Sequence, residues 1–361
     1  MKKTVVDALA EATFEEEDFQ ESPPHDIVAY NELRSCADLF RMYDSGALNI
    51  APNFQRDVVW KSPSQTRFID SLIKQLPIPS LCFSYDYKNE EWQVIDGLQR
   101  ISSIIKFLEK DSGWTLSDLP DIDSHISGRP VAEFHEKGKP LEKLKRRVEN
   151  ATLPITVLRC DPSLSSHSNY LFTIFHRLNT AGMKLNNQEI RNCIYSGSFN
   201  ELLKTLDSDK NWLALHGLKT PKSDRFRRQE LILRFFAFWK RYEAYKEGLA
   251  KFLNDFMGER KSASATVLAG DKELFERVVA VINGKLGAKI SGKITLTLLE
   301  SLLVGVGRNI DKLEGETSAQ LEGRFANLQQ HEEFTDAKLS EGLSKTARVL
   351  GRMNAAVQVF S

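Results

Sequence analysis

The sequence predicts an α+β protein in which a mixed α/β domain precedes an all-helical domain. Three observations predict this arrangement. Strand-like runs alternate with amphipathic helical runs up to about residue 165, almost only helical periodicity follows, and the first residues form a separate acidic segment. We therefore expect a flexible acidic tail over residues 1–26, an α/β domain over residues 27–165 and a helical domain over residues 166–361.

In the α/β segment, apolar spacing and turn residues indicate the elements. A short helix is expected over residues 35–43, and an amphipathic helix capped by Ser64 carries Phe68, Leu72 and Leu76 on one stripe before Pro77 ends it. Strands are expected over residues 48–51, 81–85, 92–95 and 154–158. The polar residues 109–150 are expected to form an insertion or lid.

The helical segment has its strongest signal over residues 230–242. This stretch is heavily apolar and contains Leu231, Leu233, Phe235, Phe236, Phe238 and Trp239. Such a helix lies either in a core or in an interface between copies. The oligomeric state therefore stays open.

Composition places the chain among globular proteins of the cytoplasm. No apolar run approaches the roughly 20 residues that span a bilayer, and Asp7 and Glu11 interrupt any export signal at the start. The four cysteines are dispersed and form no CxxC pair, which is typical of reduced thiols. We expect no membrane partner.

Charge is unevenly distributed, although the chain as a whole is neutral. Residues 1–26 carry two lysines against eight acidic residues, so this segment is −6 and the remainder is +6. An acidic tail of this kind is usually solvated and flexible. The alternative is an acidic arm that covers a basic nucleic-acid groove.

The most informative segment is Asp96-Gly97-Leu98-Gln99-Arg100, between a predicted strand and a predicted helix. Gly97 permits a tight turn and close approach of a ligand, and the helix start offers unpaired N–H groups and a positive dipole end. Asp96 is suited to a divalent metal and Arg100 to a phosphate. The ordinary structural alternative is a helix cap with a surface ion pair.

Two further segments carry candidate nucleotide-binding residues. Gln55 and Arg56 lie in a loop, where the arginine is either solvated or a second phosphate contact. Arg177 and Asn179 lie where a helix ends at a glycine-containing loop, and Asn186 then caps a new helix. The alternative for this second segment is a helical corner without a ligand.

Two basic runs are candidates for DNA binding through phosphate contacts. They comprise Lys143, Lys145, Arg146 and Arg147, and then Lys222, Arg225, Arg227 and Arg228. Such runs are more commonly solvated surfaces. The sequence has no Walker-type phosphate loop, no G-x-S-x-G motif and no HExxH motif.

Together, these segments resemble the bacterial DGQQR family. That family includes the GmrS half of the GmrSD modification-dependent restriction system and SspE-type phage-defence proteins. The resemblance spans roughly residues 30–240. It is carried by Phe54-Gln55-Arg56, Trp60, Ile69-Asp70-Ser71-Leu72, Leu76-Pro77-Ile78-Pro79, Asp96-Gly97-Leu98-Gln99-Arg100, Arg177-Leu178-Asn179-Thr180-Ala181-Gly182, Glu189-Ile190-Arg191 and Arg228-Gln229-Glu230.

The resemblance implies a ParB/sulfiredoxin-like N-terminal fold that binds and hydrolyses a nucleoside triphosphate with Mg²⁺. Catalytic roles fall on Asp96, Gln99 and Arg100, with Asp96 as the metal ligand. The nucleotide-binding residues would be Gln55, Arg56, Gly97, Leu98, Arg100, Arg177 and Asn179. The sequence departs from the family pattern at two points. Leu98 replaces the first glutamine of the motif, and the helical half lacks a His-Asn-His nuclease signature.

The sequence therefore favours a nucleotide-binding protein, an NTPase, that acts in bacterial defence against foreign or modified DNA. DNA and a separate nuclease subunit are the expected partners. Two alternatives stay open. One is a non-hydrolysing, nucleotide-switched DNA-binding or adaptor protein, and the other is a DNA endonuclease that uses the ParB-like domain.

Overall fold

The computed structural model describes residues 24–50, 60–178, 186–216, 226–246, 248–290, 294–339 and 342–361. The chain divides into two compact units, and the division falls between Lys184 and Leu185. The N-terminal unit is α/β and the C-terminal unit is helical, which confirms the predicted fold class. Along the described residues, no helix combines the length and apolar character needed to cross a bilayer.

The N-terminal unit is built around one five-stranded sheet. Its strands are β1 (Val28–Ser35), β2 (Leu48–Asn49), β3 (Leu81–Asp86), β4 (Glu91–Asp96) and β5 (Thr152–Cys160), in the spatial order β1-β5-β3-β4-β2. The pairs β1–β5 and β3–β4 are antiparallel, whereas β3–β5 and β2–β4 are parallel. The sequence did not predict β1, because its residues are mostly exposed and lack an alternating apolar pattern.

Among the residues that the structure describes, six helices accompany this sheet. They are α1 (Cys36–Asp44), α2 (Ser62–Ile73), α3 (Leu98–Leu108), α4 (Val131–Phe134), α5 (Pro140–Asn150) and α6 (Ser165–Leu178). Helices α1 to α5 contribute to one continuous hydrophobic core with β3, β4 and β5. Helix α6 contacts β4 and lies within the same unit, although it had been expected to open the helical domain.

Helix α2 differs from the prediction at both ends. Lys61 is its N-cap and Pro63 lies in its first turn, so Ser64 is inside the helix and does not cap it. The helix ends at Ile73, and Gln75 adopts a positive φ of 55°. Leu76 is therefore outside the helix, and its side chain is half exposed.

Polar side chains of α2 hold the segment that had been expected to form an insertion or lid. The Ser117 backbone N–H donates to Thr66 Oγ1 over 2.9 Å, and the Asp123 N–H donates to Asp70 Oδ1 over 3.1 Å. Trp114 and Ile126 of this segment are buried in the core. The segment is thus an integral part of the unit and not a lid, because its backbone is fixed and its apolar residues complete the interior.

The C-terminal unit contains eleven α-helices among the residues that the structure describes. They are α7 (Asn187–Ile194), α8 (Ser198–Leu206), α9 (Lys210–His216), α10 (Arg227–Arg241), α11 (Leu249–Arg260), α12 (Ala265–Ile290), α13 (Leu296–Arg308), α14 (Ile310–Leu313), α15 (Ser318–Gln330), α16 (Asp336–Leu339) and α17 (Thr346–Phe360). The apolar helix predicted near residue 230 is α10, whose Phe235, Phe236 and Phe238 are buried in this unit, whereas Trp239 is half-buried.

Candidate functional site

Gly97 forms the corner between β4 and α3. It has φ 97° and ψ 14°, in the left-handed region, and it is the N-cap of α3 without a side-chain capping bond. A Cβ atom here would lie 2.1 Å from Leu81 Cδ2. Only glycine satisfies both the dihedral angles and the close contact.

The start of α3 presents three backbone donors. The first helical bond runs from the Ile101 N–H to the Gly97 carbonyl. The N–H groups of Leu98, Gln99 and Arg100 have no hydrogen-bond acceptor among the described residues. An uncapped helix start of this kind, with its positive dipole end, is a general anion-binding arrangement.

Arg100 is engaged inside the protein. Its guanidinium donates to the Pro79 carbonyl, to the Ser80 carbonyl over 3.4 Å and to Asp96 Oδ2 over 2.9 Å. Its side chain is only 13% exposed, and burial lowers the pKa of Arg100 while the nearby Asp96 carboxylate offsets part of that effect. Protein oxygens already accept hydrogen bonds from this guanidinium, and the phosphate-binding role expected for Arg100 stays a prediction.

Asp96 is the accessible member of the ion pair. Its side chain is 40% exposed, and Arg100 is the sole donor to this carboxylate among the described residues. The described part of the chain brings together no group of three or more His, Cys, Asp or Glu residues that could hold a metal. A divalent ion at Asp96 would thus depend on oxygens supplied by a ligand, as Mg²⁺ commonly does in nucleotide sites.

Gln99 and Leu98 use their side chains to fix the corner. Gln99 Oε1 accepts a hydrogen bond from the Trp60 backbone N–H over 3.2 Å, and Trp60 in turn packs edge-on against Phe68. Leu98 packs against the hydrophobic core. These contacts hold the Gln99 side chain against the Trp60 backbone and the Leu98 side chain against the core.

The other predicted nucleotide-binding residues are only partly described. Gln55, Arg56 and Asn179 lie outside the described residues. Arg177 is exposed in the last turn of α6.

The predicted DNA-binding residues separate into two groups. Lys143, Lys145, Arg146 and Arg147 all lie on α5, and Arg227 is exposed at the start of α10. Lys222 and Arg225 lie outside the described residues.

Arg228 requires a correction. It is 4% exposed, and its guanidinium donates to both carboxylate oxygens of Asp207 over 2.8 and 2.9 Å. A buried, bidentate pair of this kind stabilises the helical unit and is not placed to contact DNA.

A buried polar network in the helical unit was not identified from the sequence. Arg191 is 1% exposed and donates to Glu230 Oε2 over 3.1 Å and to Asn254 Oδ1 over 2.9 Å. Glu230 also accepts from Arg234, which reaches Glu300 over 3.3 Å. The charges alternate along the network, so each buried ion has an opposite neighbour. The sequence signal that could have indicated this network is the pair Glu230 and Arg234, which stand four residues apart within the apolar segment 230–242.

Comparison with known proteins gives one match. Residues 36–196 match the family model of the GmrSD restriction endonuclease, N-terminal domain, which is less than half of the chain. The matched region contains the corner at Gly97 and most of the α/β unit. Neither the curated proteins nor the solved structures gave a match. The ParB/sulfiredoxin-like fold implied by the sequence resemblance therefore stays a prediction.

Proposed function

We propose that the corner at residues 96–100 binds the phosphates of a nucleoside triphosphate and hydrolyses it, and that this reaction controls a defence response against foreign or modified DNA. The observation that carries the proposal is the uncapped start of α3 beside an exposed carboxylate. The match to the N-terminal domain of a restriction endonuclease family supports the link to DNA.

Phosphate would be held mainly by the backbone. The three N–H donors of Leu98, Gln99 and Arg100 converge at the positive end of the α3 dipole, where anions are favoured. Gly97 adopts the left-handed backbone conformation that turns the chain from β4 into α3, and this turn sets the direction in which the three N–H groups point.

Arg100 would take part through an exchange of partners. Of the three hydrogen bonds that the Arg100 guanidinium donates to described residues, only the one to Asp96 reaches a charged acceptor. A phosphate oxygen that replaced Asp96 would keep the arginine paired with an anion and would release the carboxylate. The Pro79 and Ser80 carbonyls would continue to orient the guanidinium.

The released Asp96 carboxylate would then hold Mg²⁺ together with phosphate oxygens, or orient the attacking water. Mg²⁺ would neutralise charge on the phosphates during their hydrolysis. Asp96 is the only acidic side chain in the five-residue corner, so the protein without nucleotide would bind Mg²⁺ weakly.

The description of the matched family favours a second candidate, a DNA endonuclease. Metal-dependent cleavage of DNA commonly uses several carboxylate ligands. The described residues contain no such cluster, so we rank this candidate below the NTPase. A nucleotide-switched adaptor without hydrolysis is the remaining alternative, and it would use the same phosphate-binding corner.

The test uses the full chain with Mg²⁺ and each of the four ribonucleoside triphosphates. Binding is measured by calorimetry and turnover by phosphate release, for the wild type, Asp96→Asn and the control Asp121→Asn. Asp121 is an exposed aspartate of the same unit that also pairs with an arginine, Arg67, over 2.7 Å. We expect Asp96→Asn to lose turnover at least tenfold and Asp121→Asn to behave like the wild type.

The outcomes distinguish the three candidates. Binding without turnover in the wild type would indicate the switch. Plasmid cleavage that persists without nucleotide would indicate the endonuclease. If the wild type binds none of the four nucleotides, both the NTPase and the nucleotide-switched adaptor are contradicted.

A further inference from the structure

Helix α5 has one buried and one exposed face. Val148 is fully buried, and Leu141 and Leu144 pack against the core of the N-terminal unit. Lys143, Arg146 and Arg147 lie on the opposite, exposed face. Lys139, the exposed N-cap residue, precedes them.

The basic residues of this face are in register. Lys139, Lys143 and Arg147 follow one another at intervals of four residues, so their Cα atoms are about 6 Å apart along the helix axis. Arg146 lies on the same side of the helix, within about 60° of Lys143 around the axis. The exposed face of α5 is therefore a continuous cationic stripe of four side chains.

The acidic residues of α5 do not interrupt this stripe. Glu142 accepts hydrogen bonds from Arg146 and from the Gly138 backbone, and Glu149 accepts from Lys145 at the flank of the stripe. Lys143 and Arg147 form no ion pair with any described residue. Lys139 also forms no ion pair with a described residue, so three of the four cations are uncompensated by the described part of the protein.

We propose that this stripe (Lys139, Lys143, Arg146 and Arg147) contacts the phosphate backbone of double-stranded DNA without reading its sequence. Charge complementarity carries the proposal, because a linear array of cations matches a linear array of phosphates and no aromatic side chain accompanies it to stack on unpaired bases. The choice of DNA over other polyanions rests on the proposed function. The stripe shares no residue with the corner at residues 96–100, so substitutions in the stripe leave the proposed phosphate-binding residues unchanged.

The stripe predicts a specific dependence on salt. Each phosphate contact contributes about 0.9 to the slope of log K against log salt concentration. Loss of the Lys143 and Arg147 charges should therefore reduce the slope by roughly 1.8, and should weaken binding by about tenfold to a hundredfold near 0.1 M salt.

The experiment measures fluorescence anisotropy of a labelled, unmodified DNA duplex with the full chain across a salt series. The variant is K143Q/R147Q, and the matched control is K251Q/K272Q, which removes two exposed lysines from the helical unit. Both variants change the net charge equally. Thermal unfolding by circular dichroism confirms that each is folded.

A smaller slope and weaker binding in K143Q/R147Q, with near wild-type values in the control, would support the proposal. Equal losses in both variants would overturn it, because net charge alone would then explain binding. Tighter binding to single-stranded RNA or to anionic lipid vesicles than to the duplex would also overturn it.

Nucleotide binding by the same preparations separates this inference from the proposed function. Intact nucleotide binding without any DNA affinity would overturn the inference alone. DNA binding that depends on α5 in a chain with no nucleotide affinity would uphold the inference and contradict the proposed function.

Discussion

The side chain of Leu81 occupies the space in which a Cβ atom on Gly97 would lie, with a separation of only 2.1 Å from Leu81 Cδ2. Leu81 begins β3 and is 1% exposed, so it has little room to move. Gly97 combines this contact with a φ of 97°. The corner that presents the start of α3 is thus fixed by sheet packing as well as by backbone geometry.

Gly97→Ala should destabilise the N-terminal unit by about 2–5 kcal/mol, since it adds left-handed strain to a steric overlap. The free energy of unfolding in urea provides the measurement. Gly113→Ala is the control, because Gly113 also has a positive φ of 63° but no atom within 4 Å of its Cβ position. The control should cost only about 1–2 kcal/mol. Equal losses of unfolding free energy in the two variants would show that the Leu81 side chain moves to accommodate the added methyl group.

Arg100→Ala should reduce stability as well as nucleotide affinity. The substitution removes the charge-assisted bonds to the Pro79 and Ser80 carbonyls, which costs about 1.5–3 kcal/mol. Arg67→Ala should cost at most about 1 kcal/mol, because Arg67 and Asp121 form an exposed pair. Chemical unfolding compares the two variants. An Arg100→Ala protein of wild-type stability would mean that the internal bonds contribute nothing.

Asp161 should make stability depend on acid pH. A hydrogen bond from Lys88, supported by Ser163, lowers the pKa of Asp161 to about 2 in the folded protein. Because the folded pKa lies below the usual value of about 3.9, this stabilisation is present above pH 4. It is lost as the pH falls toward 2.

Asp161→Asn should therefore flatten the pH dependence of the unfolding free energy between about pH 4 and pH 2. Urea unfolding at a series of pH values measures the profile. Lys88→Met should have a related effect by raising the pKa of Asp161. If the wild type and Asp161→Asn give the same pH profile in that range, Asp161 is not the source of the acid dependence.

Arg191→Met should destabilise the helical unit by about 3–5 kcal/mol. It removes one partner of a buried ion pair and leaves Asn254 without its donor. Glu276→Gln on α12 tests an exposed pair with Lys272 at 3.7 Å and should change stability by less than about 0.5 kcal/mol. Thermal and urea unfolding measure both. A loss below 1 kcal/mol for Arg191→Met would indicate that Glu230 is sufficiently paired by Arg234.

Much of the α/β unit was accessible from local sequence signals. Glycine at position 97 between a strand and a helix indicated the corner, and β3, β4 and β5 followed from short apolar runs between turn residues. Strand β1 did not follow, because an edge strand whose residues are mostly exposed carries no alternating pattern. The N-cap of α2 was predicted at Ser64 but lies three residues earlier, at Lys61. Proline favours the first turn of a helix, so Pro63 lies inside α2 and the helix begins before Ser64.

Partners of charged side chains were less predictable. Arg100 and Arg228 read alike in the sequence as arginines available for phosphate. Arg100 instead bonds to carbonyls 20 and 21 residues away, and Arg228 pairs with Asp207. No sequence pattern states which distant oxygen will meet a given guanidinium.

The sequence by itself determined strands β3 to β5, the helical character of the second half and the glycine corner before α3. Periodicity and backbone preference act over a few residues, so they can be recognised without a structure. The tertiary structure alone decided that Arg100 is held by Pro79, Ser80 and Asp96. It also decided that Lys143, Arg146 and Arg147 of α5 share one exposed face. Burial and charge pairing depend on which distant segments come together when the sheet and its helices pack.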